Sequence, residues 1–375
     1  MRKKILAGLM AMLLFAGPLT LTITNTWGYA LRQLFPQLVS QQTLESQLEG
    51  VTRLRQGQFA LNYLGGNKEQ NGIFLGSDGA LMLDMQPRDQ ETSNRNLLGI
   101  LDFLEDHQRP TYLMLIPTAC AIRQSNVPYS EVAPLYDQRQ MIDDIYRRVS
   151  GQVTTIDVYP TLFRNQNEYI YYNTENNLTG LGGYYVYSAA ARRLGQTHPR
   201  GIEEFSVRHL DENYYGSLYL QAPYFNTVPD RVSTYTFSRY WRSYTVTKWD
   251  TDGGLRRYYT LYPQERQALA GAMGVLFGGE SPITEISVGS GDTANNYNQN
   301  LLIFGDQSVF SYLPFLLVSY ERVTVVDTRS ATRELLSQLD VSQYNQVLFS
   351  YLVDQFLNQD QMRALSSLPR TDVEG

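Results

Sequence analysis

Short apolar runs rich in β-branched and aromatic residues alternate along this chain with stretches of helical periodicity, and that alternation restricts the fold more than any other feature. The runs are Tyr112 to Ile116, Thr154 to Val158, Leu301 to Phe304, Val323 to Val326 and Val347 to Phe349. Helical spacing appears at Asn94 to Glu105, Gln138 to Val149, Gly182 to Arg193, Phe310 to Leu317 and Ala331 to Leu339. Strands that are apolar on both sides need cover on both sides, so the expectation is an α/β fold with a mostly parallel sheet and helices on both faces. Sites in such folds form at the carboxyl ends of strands. The Asp306-Gln307 turn and the loop around Glu175 are expected to lie there.

The ends and the middle of the chain depart from this rhythm. Arg2-Lys3-Lys4 precedes an apolar run from Ile5 to Ile23, long enough to span or nearly span a bilayer. Residues 1–30 therefore read as a signal peptide or a signal anchor, with Gly28-Tyr29-Ala30 a passable cleavage site. The leading cations place the N-terminus in the cytoplasm and the body outside, membrane-anchored or secreted. Residues 31–60 read as a polar helical stalk, since Leu44, Leu48, Val51 and Leu54 recur at helical spacing. Asn71-Gly72 and Asp78-Gly79 punctuate Ile73 to Leu75 and Ala80 to Leu83 as a hairpin. Residues 61–200 and 300–360 form the two parts of the α/β domain, and 361–375 read as a flexible tail. Residues 201–299, rich in Tyr, Thr, Arg and Trp, read as a β/loop insertion or lid over the site. Within it, Asp250 to Gly254 lacks the later Glu of a calcium loop and reads as a turn.

Composition narrows the partners. A net charge of −6 argues against a nucleic-acid or anionic-membrane surface, which leaves glycans, small esters and proteins. With 3 His and 1 Cys no metal cluster assembles by spacing, and no cofactor is expected. His107 sits in a polar helix end and reads as solvated, while His198 and His209 fall in a loop and an alternating segment. Cys120 reads as a small buried apolar residue without a disulfide partner. Among 28 tyrosines, exposed rings suit sugar faces, but most are expected to be half-buried packing residues.

Tyr169-Ile170-Tyr171-Tyr172 leads into Asn173-Thr174-Glu175-Asn176-Asn177-Leu178-Thr179, and Gly180-Leu181-Gly182-Gly183 opens an alanine-rich helix. Around these stand Leu113 to Thr118, Ile156 to Leu162, Tyr215 to Tyr219, Leu276-Phe277-Gly278-Gly279, Leu301 to Asp306 and Leu313 to Leu316. In that order and spacing the strings resemble the DHHW protein family, whose members carry Thr-Asp-His-His-Trp-Thr between a tyrosine-rich strand and such a helix. The family is similar to the SGNH-hydrolase-like alginate O-acetyltransferases of bacterial envelopes. The resemblance implies an SGNH-like, flavodoxin-like fold and acyl chemistry on extracellular polysaccharide.

Carried over residue by residue, the resemblance places the family Asp on Glu175, its two His on Asn176 and Asn177, its Trp on Leu178 and its nucleophilic Ser on Gln307. A serine nucleophile needs an imidazole to take its proton and a carboxylate to orient that imidazole. Neither asparagine nor glutamine can fill those places, so the family route is expected to be closed. Ser308, one residue on, is an alternative nucleophile whose structural role would be a helix N-cap. Asn176, Asn177 and Gln307 offer amides to sugar hydroxyls, and Asp306 stands beside them. Asp327-Thr328-Arg329 resembles the family's Val-Asp-x-Arg; Arg329 either binds a carboxylate or oxyanion or forms a structural pair with Asp327. The expectation is a catalytically inactive accessory or binding protein in cell-surface polysaccharide O-acetylation, engaging a cell-surface glycan or a membrane O-acyltransferase. The alternative is a residual O-acetylesterase or acetyltransferase using Ser308.

Overall fold

The computed structural model describes residues 55–66, 69–84, 87–128, 136–239, 242–290 and 299–369. The N-terminal apolar segment and the stalk before residue 55 lie outside the described residues. Among the described residues no helix is long and apolar enough to cross a membrane. The chain forms two compact units, the smaller containing residues 55–66 and 223–225. In that unit 55–64 are helical, and the Phe59 and Tyr63 rings meet Tyr224 edge-on at 5.6 and 6.1 Å.

The larger unit begins with β1 (Glu69–Gln70), β2 (Ile73–Leu75) and β3 (Leu81–Leu83), a small antiparallel sheet. Asn71 and Gly72 both take positive φ, 58° and 72°, which is what a two-residue turn between β1 and β2 requires. Then follow β4 (Thr111–Ile116), β5 (Thr154–Ile156), β6 (Phe205–Tyr214), β7 (Asp230–Phe237), β8 (Arg242–Trp249) and β9 (Leu255–Tyr258). The last four are β10 (Ile283–Ser290), β11 (Asn300–Gly305), β12 (Arg322–Val326) and β13 (Gln346–Leu352). The central sheet runs β5-β4-β13-β11-β12-β10-β8-β9. Its pairings from β5 to β12 are parallel, and those from β12 to β9 antiparallel.

Side-chain alternation along the strands sorts the core into two layers. Met114 and Ile116, Leu301 and Ile303, and Leu348 enter one cluster with Val186 and Tyr187 of the Gly180–Ala190 helix and Phe315 of the Val309–Leu316 helix. Leu113 and Leu115, Leu302 and Phe304, and Val347 and Phe349 enter the other, with Leu97, Ile100 and Phe103 of the Gln90–Asp106 helix and Ile142 and Ile145 of the Gln138–Arg148 helix. The mostly parallel sheet covered by helices on both faces is therefore present, its continuous apolar runs explained by two-sided burial.

Three segments differ from the sequence expectation. The 201–299 stretch is divided: β6 and β7 form a separate ribbon, whereas β8, β9 and β10 extend the central sheet. The open edge of β12 needs a backbone partner, and β10 supplies it while burying Ile286, with Val246 of β8 buried alongside. β5 stops at Ile156 because Asp157 accepts the Tyr159 N–H at 3.1 Å, starting a helical turn with Pro160 in its first positions. The stretch from 361 is packed rather than a tail as far as Leu368, since Met362, Leu365 and Leu368 are buried in the second layer.

Candidate functional site

The Glu175 loop is closed by an antiparallel bridge between Tyr171 and Leu178 and by the Tyr172 N–H donating to the Asn177 carbonyl at 3.1 Å. Asp230, at the start of β7 and fully buried, holds its first half. Its carboxylate accepts the Tyr169 hydroxyl at 2.6 Å, the Asn173 N–H at 2.5 Å, the Thr174 N–H at 2.8 Å and the Thr174 hydroxyl. Burial pushes the Asp230 carboxyl above its ordinary range, and these donors pull it back. At the far end Thr179 caps the following helix, accepting the Gly182 N–H at 3.2 Å while its hydroxyl donates to the Tyr169 carbonyl at 2.6 Å. That helix lies so close to its neighbour that a Cβ at Gly183 would collide with the Ser311 carbonyl. The glycines of Gly180-Leu181-Gly182-Gly183 thus bring the loop against the Asp306 turn.

Each residue that the resemblance assigns to a reagent position is engaged in something else. Glu175 is half-buried rather than solvated, accepting the Ser217 N–H at 2.8 Å, the Ser217 hydroxyl at 2.5 Å and the Asn176 N–H at 3.1 Å. Asn177 folds onto its own loop, its amide oxygen taking the Leu178 N–H at 2.7 Å. Asn176 donates to Asp354 at 3.2 Å. Gln307 donates its amide to Glu280.

Beside them stand two buried acids. Asp306 takes the Ser308 N–H at 2.9 Å and the Leu352 N–H at 2.7 Å, tying the end of β11 to the end of β13. Burial pushes its carboxyl up to about 6, with the neighbouring Asp354 adding to the rise. Asp354, in the first turn of the Val353–Asn358 helix, is also raised by burial, and its Oδ1 is buried without a hydrogen-bond partner. Ser308 is 1 % exposed. It occupies the N-cap position, but its hydroxyl makes no cap bond; it lies close enough to Asp306 to favour the carboxylate without reaching hydrogen-bond geometry. Asp327 accepts the Arg329 N–H at 3.1 Å and lies 3.7 Å from its guanidinium. Arg329 itself donates to Gln359 at 2.9 Å and to Gln355 at 3.4 Å.

A cleft of about 400 Å³ gathers Asn177, Asp306, Gln307 and Asp327, whereas Glu175, Asn176, Ser308 and Arg329 are not among its lining residues. Tyr235, Met273, Leu276, Phe277 and Phe310 make much of its wall apolar. Arg256, Arg266 and Glu280 also line it. They come from β9 and the segment leading to β10, within the 201–299 stretch read as an insertion or lid, where Leu276-Phe277-Gly278-Gly279 is a string of the family resemblance. There Phe277 is forced into left-handed backbone, φ 51°, with its ring fully buried. Lys248 supports it from below. The buried ammonium donates to the Phe277 carbonyl at 3.1 Å and the Thr284 hydroxyl at 2.9 Å, and burial lowers its pKa to about 7.

None of the three histidines lines the cleft. His107 corrects the sequence expectation: it is 3 % exposed, because the helix end folds it against the Phe103 ring at 4.7 Å, and burial lowers its pKa. His198 is exposed beside Thr197. His209 is an exposed cross-strand partner of Ser233, 2.9 Å from the hydroxyl of that cleft-lining residue. Cys120 is buried, and burial raises its thiol to about 12, as suits an inert packing residue.

A family model described as DHHW protein matches residues 101–326. Among solved structures, a DHHW family protein from Eubacterium siraeum aligns at 22% identity over 81% of this chain and 97% of that one, with a TM-score of 0.66. Bacillus cereus PatB1, solved with a sulfonyl adduct, aligns at 16% identity over 78% and 99%, with a TM-score of 0.61. The O-acetyltransferase domain of Pseudomonas putida AlgJ aligns at 14% identity over 80% and 95%, with a TM-score of 0.47. No curated protein sequence matches.

Proposed function

Because the chain belongs to the DHHW protein family, we propose that it is an extracytoplasmic member silent in acyl transfer, serving cell-surface polysaccharide O-acetylation as a binding or accessory protein. Its partner is a cell-surface glycan or a membrane O-acyltransferase, and its N-terminal segment ties it to the membrane. The observation that carries the silent reading is the commitment of the three reagent positions. Glu175 is held by Ser217, Asn177 by its own loop and Gln307 by Glu280. A proton relay needs a titratable base within hydrogen-bond reach of a nucleophile; no histidine lines this cleft, and His209, which reaches the Ser233 hydroxyl, is exposed and bonded to neither Asn177 nor Gln307. The scaffold of the loop is meanwhile intact, which suits retention of a binding surface. The polysaccharide assignment comes from the family's similarity to O-acetyltransferases.

The Ser308 alternative has less support, since that side chain is buried and stands off the cleft. Ser233 beside His209 is the other hydroxyl to watch. The test is labelling with a serine-reactive sulfonyl probe, mapped by mass, together with acetyl-ester turnover. Wild type is expected to show neither, and a Glu175→Asp/Asn177→His/Gln307→Ser variant is expected to gain a label at position 307. Labelling of wild type on Ser308 or Ser233, with turnover lost in the matching Ser→Ala variant, overturns the silent reading.

A further inference from the structure

Five charged residues line the cleft, and four have partners. Arg256 is paired with Asp250 at 2.5 and 2.8 Å. Glu280 accepts from Gln307, Asp306 from two backbone N–H groups, and Asp327 from the Arg329 N–H. Arg266 is the exception: among the described residues its guanidinium has no hydrogen bond or ion pair, and its Nε is buried without a partner. A guanidinium that lines a cleft with no hydrogen-bond or ion-pair partner lacks a counter-charge that an anionic ligand would supply.

The rest of the wall says what else that ligand carries. Met273, Leu276 and Phe310 line the same cleft as Arg266 with hydrocarbon, and the buried Phe277 ring backs them, its carbonyl held by Lys248. Such a wall gives a sugar's hydroxyls few partners and an alkyl or aryl group good ones. The acids Glu280, Asp306 and Asp327 stand in the same wall, so a second negative charge on the ligand would be repelled. A planar single carboxylate fits the guanidinium fork.

We propose that the cleft binds an apolar monocarboxylate, its carboxylate on Arg266 and its alkyl or aryl part against Met273, Leu276 and Phe310. This rests on the reading of the cleft as a place that holds a ligand rather than turning one over. Its anchor, Arg266, is a different group from the Asn177 and Gln307 amides that line the same cleft.

The test is calorimetric titration of the purified full-length protein with octanoate, 1-octanol and glucuronate. Octanoate is expected to bind, with the alcohol and the sugar acid each weaker by roughly tenfold or more. Arg266→Gln is expected to weaken octanoate by roughly ten- to hundredfold, the worth of a charge-assisted pair, and Arg266→Lys by less. Octanol binding as tightly as octanoate, glucuronate binding as tightly as octanoate, or an unchanged affinity in Arg266→Gln would each overturn the assignment. The three-ligand comparison on wild type decides the matter even where a variant is unstable. Acetyl-ester turnover by wild type would defeat the silent reading while leaving the octanoate result readable, so the two failures are distinguishable.

Discussion

Asp230 and Asp354 are both buried carboxylates that hold the same loop, and they are treated in opposite ways. Asp230 receives four donors from Tyr169, Asn173 and Thr174, so both of its oxygens are hydrogen-bonded and these donors offset much of the cost of its burial. Asp354 receives the Asn176 amide on Oδ2, leaves Oδ1 without a partner, and sits near enough to Asp306 to raise that residue's proton affinity. The first half of the loop is thus fixed by a fully hydrogen-bonded acid, and Asn176 in its second half is held by an acid with one oxygen unpartnered. The part of the site that shapes the backbone is fully paired. Where the family would have a reacting group, the polar atoms have been reassigned to neighbours.

The largest effect expected from this contrast is at Asp230. Asp230→Ala leaves two buried and two half-buried donors unpaired and is expected to lower stability by about 3–5 kcal/mol, read as the shift in a urea midpoint. A loss below about 1 kcal/mol would mean that the donors find other partners and that the loop is not anchored there.

Much of this architecture was legible in the chain. Leu301 to Phe304 is apolar at every position because successive side chains enter opposite layers, and that pattern alone calls for a sheet covered on both faces. The order of strings around Glu175 and Asp306 pointed to a loop and a turn that meet at the strand ends, and Asn177 and Gln307 do line one cleft. Asp230 was not legible, because it acts over a sequence separation of 56 residues on a loop that any buried acceptor would satisfy. His107 was misread because Asp106 and Arg109 flank it, and flanking charge does not reveal which way a helix-terminal ring turns. Arg266 carries no motif, and its lack of a partner exists only in three dimensions.

The next effect is a pH dependence. The Asp306 carboxyl is raised to about 6 by burial, so it favours the folded state most when protonated; that contribution is complete below its unfolded value and is lost as pH rises through about 6. Relative to Asp306→Asn, wild type is expected to lose stability between about pH 4 and pH 6, with a slope of at most about 1.4 kcal/mol per pH unit, and to run parallel above that window. Parallel curves across the whole range would show that the Ser308 and Leu352 N–H groups match the Asp306 charge in full.

Asp354→Asn is expected to be neutral or to raise stability by about 1 kcal/mol at pH 7, since it removes a buried charge with one unpartnered oxygen and relieves repulsion on Asp306. The sign is the informative part. A loss as large as that of Asp230→Ala would make the two acids equivalent and erase the distinction between a paired anchor and an under-satisfied one.

Ser217→Ala probes the smallest term. Glu175 is half-buried and bound by both the N–H and the hydroxyl of Ser217, and the variant removes only the hydroxyl, so about 0.5–1.5 kcal/mol is the expected loss. Its value lies in what happens to the carboxylate. With the hydroxyl gone, Glu175 keeps the Ser217 and Asn176 N–H groups and stays directed at backbone. In the Asn177→His background, an imidazole at 177 could then compete for the carboxylate. The pKa of that histidine, followed by NMR, is expected to rise further when Ser217→Ala is added than in Asn177→His alone, because an imidazolium gains from an uncommitted carboxylate neighbour. No difference between the two would mean that Ser217 does not hold Glu175 away from position 177, and that the loop's second half is as fixed by its backbone as its first half is by Asp230.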